Sequence, residues 1–293
     1  MYKLITIDLD GTLLNRYGEV TEYTKDIIKK TTNKGVLVVL ASGRISESVL
    51  TIAKEIGADK YYISGNGSVL YDMQKNEILY ENYLTKEKVL EIIELCDKNS
   101  IYYNIYTENA VLAKSLNYNV AFYNYENTKK SSDKKTDINI VEDMYNYIKN
   151  SNLNKFLKIT ICDENKIVFS SILRKIKNIS DIDVLEVSHM SQKKIKTGTK
   201  EVEVGYFYTE VSSKNVDKWF AIEKVMELEN IKKEEVMALG DNNNDIVMIK
   251  NAGLGVAMGH SNEQVKKVAD YITVDNNEDG VAKAIEQYVL QYY

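Results

Sequence analysis

Two aspartates stand two residues apart, Asp8 and Asp10, directly after the apolar run Lys3-Leu4-Ile5-Thr6-Ile7. Residues i and i+2 of a strand point to one side. The spacing therefore predicts two carboxylates side by side, one to attack or bind a metal and the other to move a proton. Gly11 permits a sharp turn and Thr12 can cap the segment after it. A plain Asp-Gly turn has the same composition, but the apolar strand before it favours the chemical reading. A second acidic cluster, Gly240-Asp241-Asn242-Asn243-Asn244-Asp245, comes after Glu235-Val236-Met237-Ala238-Leu239. Asp241 and Asp245 are four apart, so a helix starting near Asn243 sets them on one side of its first turn. Hard oxygen ligands of this kind suit Mg²⁺; an Asn-rich loop with helix caps is the plainer alternative. A third cluster, Ser42-Gly43-Arg44, closes Val36 to Ala41. A hydroxyl and exposed amides near a helix N-terminus make an anion site, although the tripeptide alone also fits an ordinary strand-to-helix turn.

The elements that carry these clusters share one plan. Each is a short apolar, largely β-branched run that stops at small and polar residues, which suits parallel strands buried on both faces. Helical patterns lie over Thr21 to Asn33, Ser46 to Ile56 and Val216 to Leu228, the last with Trp219, Ile222 and Met226 on one face. Gly35 and Gly57 lie beyond the first two as stop signals. Strands alternating with helices predict an α/β sheet with right-handed crossovers, and ligands of such sheets bind beyond the carboxyl ends of the strands. After a strand over Gly253 to Met258, the C-terminal stretch reads as helix Asn262 to Ala269, strand Tyr271 to Val274 and helix Gly280 to Gln287.

Between about Tyr83 and Val211 the pattern changes. Helices are expected over 86–97, 141–149 and 165–177, and strands over 101–106, 110–114, 156–162, 183–188 and 200–211. A polar stretch lies around Lys129 to Asp137, and residues 190–205 read as an extra hairpin. Short strands with intervening helices predict an α+β domain, 83–211, inserted into an α/β domain formed by 1–82 and 212–293.

Composition sets limits on function. The chain has 293 residues and a formal net charge of -5, with 44% apolar and 28% charged residues. A mildly acidic balance argues against a nucleic-acid partner. The apolar runs fall far short of the ~20 residues that span a bilayer, and the N-terminus lacks the pattern of an export signal. Cys96 and Cys162 are the only cysteines, so neither a disulfide framework nor a zinc site is expected, and a reducing, cytoplasmic location is. The chain has no proline, which removes any cis-proline device. His189 and His260 lack ligand spacing and read as ordinary residues.

Asp8-Leu9-Asp10-Gly11-Thr12, Ala41-Ser42-Gly43-Arg44 and Gly240 to Asp245, in that order, resemble three of the four motifs of the haloacid dehalogenase-like hydrolases, and most of all the Cof-type subfamily IIB phosphatases. Ile63-Ser64-Gly65-Asn66-Gly67, Ala252 to Gly259 and Asn277 to Ala282 extend the similarity over both flanks of the chain. The remaining motif is a lysine opening a helix. Lys218 is identified with it because it lies 23 residues before Asp241 and 8 after Glu210, as that family's spacing requires, and Lys214 does not. Trp219 stands where a glycine is usual, and His260 where asparagine is more frequent.

The resemblance implies a Rossmann-like three-layer core with a parallel sheet and an inserted α+β cap that selects substrate. It implies an Asp8 nucleophile that forms an aspartyl-phosphate, and Asp10 as acid and then base. Mg²⁺ would be held by Asp8, the Asp10 carbonyl and Asp241, with Asp245 behind them. Ser42, Gly43, Arg44, Asn66, Lys218 and Asn244 would bind the phosphate or substrate. The expected reaction is Mg²⁺-dependent hydrolysis of a small-molecule phosphate ester, such as a sugar phosphate or phosphorylated cofactor, by a cytoplasmic monomer or homodimer. An aspartate at position 10 favours an ester over a halide, which needs no acid to leave. Two other readings share the fold: a phosphosugar mutase or phosphotransferase, and a non-catalytic phosphometabolite-binding protein.

Overall fold

The computed structural model describes residues 1–128, 135–185, 191–197 and 200–292, and their side chains except at 126, 191–204 and 292. The chain forms two compact units, Met1–Glu81 with Val216–Tyr293, and Asn82–Asn215.

The first unit is built on an eight-stranded sheet. Its spatial order is Tyr271–Ile272, Leu254–Ala257, Val236–Gly240, Leu4–Ile7, Leu37–Ala41, Tyr61–Ser64, Val69–Asp72 and Glu77–Glu81. The first six are parallel, and the last two form an antiparallel hairpin at the edge. Alternation along the strands explains the layering. Ile5, Ile7, Val38, Leu40, Met237 and Leu239 face one apolar cluster with helices Glu22–Asn33, Ser46–Ile56 and Gly280–Tyr288. Leu4, Val39, Ala41, Val236 and Ala238 face the other with helices Lys218–Glu229, Ile246–Asn251 and Glu263–Val268. Helices cover both faces, so the central strands carry apolar residues at nearly every position, as buried parallel strands must.

The order of connection creates the site. The chain runs from Leu4–Ile7 to Leu37–Ala41 and Tyr61–Ser64 on one side, then returns to Val236–Gly240 on the other. The strand order reverses beside Leu4–Ile7, and a crevice opens at such a switch point, beyond the carboxyl ends. Asp8, Ser42 and Asp241 are the residues immediately past those ends.

The second unit has a sheet in the order Ile182–Val184, Lys200–Ser213, Phe156–Asp163, Tyr102–Thr107, Val111–Ala113 and Ile138–Ile140, with Ser191–Thr197 pairing on Lys200–Ser213. One face packs Tyr103, Ile105, Phe156, Ile159, Ile161 and Val211 on helices Lys86–Lys98, Met144–Asn150 and Lys166–Ile176. The expected hairpin over 190–205 is present as Ser191–Thr197 antiparallel to Lys200–Ser213. Residues 129–134 of the polar stretch, 186–188 of the expected strand, His189 and Gly198 lie outside the described residues.

Several expectations need correction. Helix Tyr118–Asn127 and strands Ile138–Ile140, Val69–Asp72 and Glu77–Glu81 are additional. The helix is aromatic and Asn-rich rather than striped; Tyr118 packs its ring on Tyr102 and Tyr206 at 5.1 and 5.2 Å. The helix expected from Val216 starts at Lys218, because the Asp217 carboxylate accepts a hydrogen bond from the Phe220 amide at 2.9 Å and caps it.

Candidate active site

Asp8 is the first residue after its strand, held by its amide donating to the Leu239 carbonyl at 3.0 Å. Its carboxylate is nearly buried, at 5% exposure. The Lys218 ammonium donates to Asp8 Oδ1 at 2.5 Å and to Asp245 Oδ1 at 2.6 Å. Lys218 is 1% exposed and Asp245 0%. A lysine so deeply buried needs such partners, since an unpaired buried charge costs several kcal/mol. Asp245 Oδ2 in turn accepts from the amides of Asp241 and Asn242, both at 3.0 Å. Asp241 Oδ1 accepts from the Thr12 hydroxyl at 3.0 Å.

Carboxylate oxygens of Asp8, Asp241 and Asp245 lie within 4.8 Å of one another. Three carboxylates therefore lie together, and the Lys218 ammonium bonds two of them. Burial, together with Asp245 and Asp241, raises the Asp8 carboxyl well above its ordinary value, against the lowering effect of Lys218. Burial also raises Asp245. For Lys218, burial acts downward but is outweighed by Asp245 and Asp8, so the ammonium is held more firmly than usual.

This donor set fits a hard divalent cation. The group carries excess negative charge in a water-poor place, and its ligand atoms are all oxygen. Both Asp245 oxygens are engaged, one by Lys218 and one by two amides, which suits it to orient its neighbours. Asp8 Oδ2 accepts no hydrogen bond among the described residues.

Asp10 behaves differently from its expected pairing with Asp8. The strand ends at Ile7, so alternation no longer governs position 10. Asp10 lies in the turn after the strand with its side chain 63% exposed and forms a two-pronged pair with Arg44. Arg44 Nε donates to Oδ2 at 2.8 Å and the guanidinium Nη2 to Oδ1 at 2.7 Å. Such a fork fixes direction as well as charge.

Ser42 is buried at the end of its strand, and its hydroxyl accepts from the Arg44 amide at 3.2 Å. Asn66 sits in the left-handed region at φ 58 and donates its amide to the Ser42 carbonyl at 2.9 Å. A Cβ at Gly43 would come within 2.8 Å of Asn66 Oδ1, so glycine is what lets the two loops touch. Asn244 Nδ2 donates to the same Asn66 oxygen at 3.0 Å. Ser42, Gly43, Asn66 and Asn244 thus form one connected group, and Asp8, Lys218, Asp241 and Asp245 another; Asp10 and Arg44 pair beside them.

Trp219 is directed away from this chemistry. It is buried in the apolar cluster of its helix face, and its indole donates to Glu223 at 2.8 Å. Three contributors escaped the sequence reading: Thr12 as a partner of Asp241, and His260 with Asp275. The available signal was that His260 lies just past the end of strand Leu254–Ala257, at the same edge as Asp241.

Gly67 supports the lysine. Its φ is +106, and a Cβ there would lie 2.1 Å from the Asp217 carbonyl, at the cap of the Lys218 helix. Gly67→Ala is expected to destabilise by roughly 3 kcal/mol, combining backbone strain with a clash. Thermal denaturation should show a midpoint lower by roughly 5–10 °C.

This fold and site define a haloacid dehalogenase-like hydrolase: the family model of that description matches residues 5–285, and the chain belongs to the family. Within it, the chain is a phosphatase, as its similarity to curated phosphatases shows. It is 31% identical over 288 residues to 5-amino-6-(5-phospho-D-ribitylamino)uracil phosphatase YcsE of Bacillus subtilis, covering 98% of this chain and 96% of that one. A haloacid dehalogenase-like hydrolase from Bacteroides thetaiotaomicron superposes with a TM-score of 0.75 at 29% identity, covering 98% and 99% of the two chains. The subclass IIB sugar phosphatase BT4131 shares the fold at a TM-score of 0.74 and 22% identity, with 98% of each chain covered.

Proposed function

We propose that this phosphatase hydrolyses small phosphorylated metabolites, with Mg²⁺, through an aspartyl-phosphate on Asp8. The observation that carries the reading is the close group of Asp8, half-buried Asp241 and Asp245, with buried Lys218 bonded to Asp8 and Asp245. Asp8 Oδ2 attacks phosphorus, and Asp8 becomes the acyl phosphate as the ester oxygen leaves. Asp10, exposed, takes up a proton as its fork with Arg44 opens, gives that proton to the leaving oxygen, and as the carboxylate then takes a proton from the water that frees the phosphate. Lys218, Ser42, the Gly43 amide and Asn244 hold the phosphoryl oxygens, a task of positioning and charge stabilisation. Asp8, the Asp10 carbonyl and Asp241 would hold Mg²⁺, which offsets repulsion between the Asp8 anion and an anionic substrate.

The substrate class rests on the relatives. One is named for the phosphatase of a phosphoribityl compound and another is a sugar phosphatase, so phosphorylated sugars, polyols and cofactors form the panel to test. We place the enzyme in the cytoplasm as a monomer or homodimer; Cys96 and Cys162 are buried and form no disulfide, which suits a reducing compartment. No described helix is long and apolar enough to cross a membrane.

The test is phosphate release from p-nitrophenyl phosphate and that panel, with Mg²⁺ and with chelator. Release with Mg²⁺ and its loss with chelator are expected; no release from any member overturns the proposal. In parallel, Mg²⁺ should raise the unfolding midpoint, since a ligand at a hundred times its Kd adds about 2.7 kcal/mol. Asp241→Asn should abolish that shift.

A further inference from the structure

We infer that His260 and Asp275 act as a positioning pair that fixes the orientation of Asp241 and so sets how tightly the site holds its cation. The inference rests on the proposed Mg²⁺ site and goes beyond it to residues that the proposed reaction does not use. Three neighbouring parallel strands, Val236–Gly240, Leu254–Ala257 and Tyr271–Ile272, end at the same edge. Asp241, His260 and Asp275 lie beyond these ends, in a row. His260 Nε2 is 3.6 Å from Asp241 Oδ2, and Nδ1 is 3.2 Å from Asp275 Oδ2. The ring therefore lies between two carboxylates, one nitrogen toward each.

Asp275 is itself anchored. Its Oδ1 accepts from the Asn277 amide at 2.9 Å and from Asn277 Nδ2 at 2.6 Å. Asn277 Oδ1 accepts from the Arg16 amide at 2.9 Å and from Arg16 Nε at 3.1 Å, tying the loop to the segment after Asp10. Gly259, before the histidine, donates its amide to the Val274 carbonyl at 3.1 Å, and the backbone is fixed on both sides of the ring. Asp241 then has a neighbour at each oxygen, the Thr12 hydroxyl hydrogen-bonded to Oδ1 and the His260 ring 3.6 Å from Oδ2. The negative charge of Asp275 lies behind the imidazole, so the pair adds no net positive charge beside the carboxylate even with both ring nitrogens protonated. Orientation is what it supplies. Groups of this kind, set against a ligand rather than on the metal, change metal affinity by about 10–100-fold when removed.

The test is Mg²⁺ binding without substrate, by calorimetry on the full chain, for the natural protein, His260→Ala, Asp275→Asn and the double variant. Circular dichroism melts establish that each is folded. Weakening of about 10-fold or more is expected for His260→Ala, with a smaller loss for Asp275→Asn. The double variant should bind within about 2-fold of His260→Ala, because Asp275 acts through the ring. Unchanged or tighter binding by folded His260→Ala, or losses that simply multiply in the double variant, overturn the inference while leaving the phosphatase reading standing. A natural protein that binds no Mg²⁺ overturns both.

Discussion

Asp8→Asn should reduce turnover by about ten-thousand-fold or more and, in the absence of Mg²⁺, leave the protein as stable as before or more so. The two halves have one cause. The Asp8 carboxyl is raised well above its ordinary value by burial and by Asp245 and Asp241, with Lys218 compensating only in part. Its ionised form is therefore a cost to the cation-free fold, and an isosteric amide removes that cost. In the proposed reaction the amide also removes the attacking oxygen, and loss of a nucleophile from a cooperating set lowers kcat by about 10⁴–10⁶. Steady-state phosphate release and a thermal melt on the same preparation check both halves. Turnover within tenfold of the natural enzyme would remove Asp8 from the reaction.

Lys218→Met is expected to be damaging in both respects. The ammonium is the shared donor to Asp8 and Asp245, in a place where neither it nor Asp245 reaches solvent. Methionine fills similar volume but leaves two buried carboxylates facing each other. Breaking a buried pair by removing one partner costs about 3–5 kcal/mol, and the loss of one charge-stabilising donor costs about a further 10²–10³-fold in kcat. Lys218→Arg should not restore the site, because a wider guanidinium has no space where the lysine is completely enclosed. Chemical denaturation without Mg²⁺ measures the first effect, and kcat at saturating Mg²⁺ the second. A variant of natural stability would mean that Lys218 carries no charge balance in the cluster.

These two residues also show what was legible in the chain before its structure. Lys218 and Asp8 are 210 positions apart, and only the parallel-strand pattern brings them to one edge. That pattern is strong: Leu4–Ile7, Leu37–Ala41 and Val236–Gly240 are continuous apolar runs with polar stops, and all three are adjacent strands. The spacing that singled out Lys218 over Lys214 agrees with a helix capped by Asp217 and opening at Lys218. Asp10 was less legible, because period-two alternation assumes that a strand continues, whereas this one ends at Ile7 and the carboxylate turns to Arg44. Helix Tyr118–Asn127 was illegible for a different reason: tyrosine and asparagine at most positions leave no apolar period to read. His260 was passed over because its partners, Asp241 and Asp275, are joined to it only through sheet order, which local spacing does not encode.

The central claim is that phosphorus is transferred to Asp8 before water takes it. Rapid acid quench of the enzyme turning over p-nitrophenyl phosphate, whose leaving group needs little help from an acid, then peptide mass spectrometry, tests it directly, and Asp10→Asn should slow the second step more than the first and accumulate the adduct. The account predicts one phosphoryl group on the peptide that contains Asp8, absent in Asp8→Asn. Continued phosphate release with no phosphoryl group on that peptide at any quench time, or with the group on another residue, would contradict it.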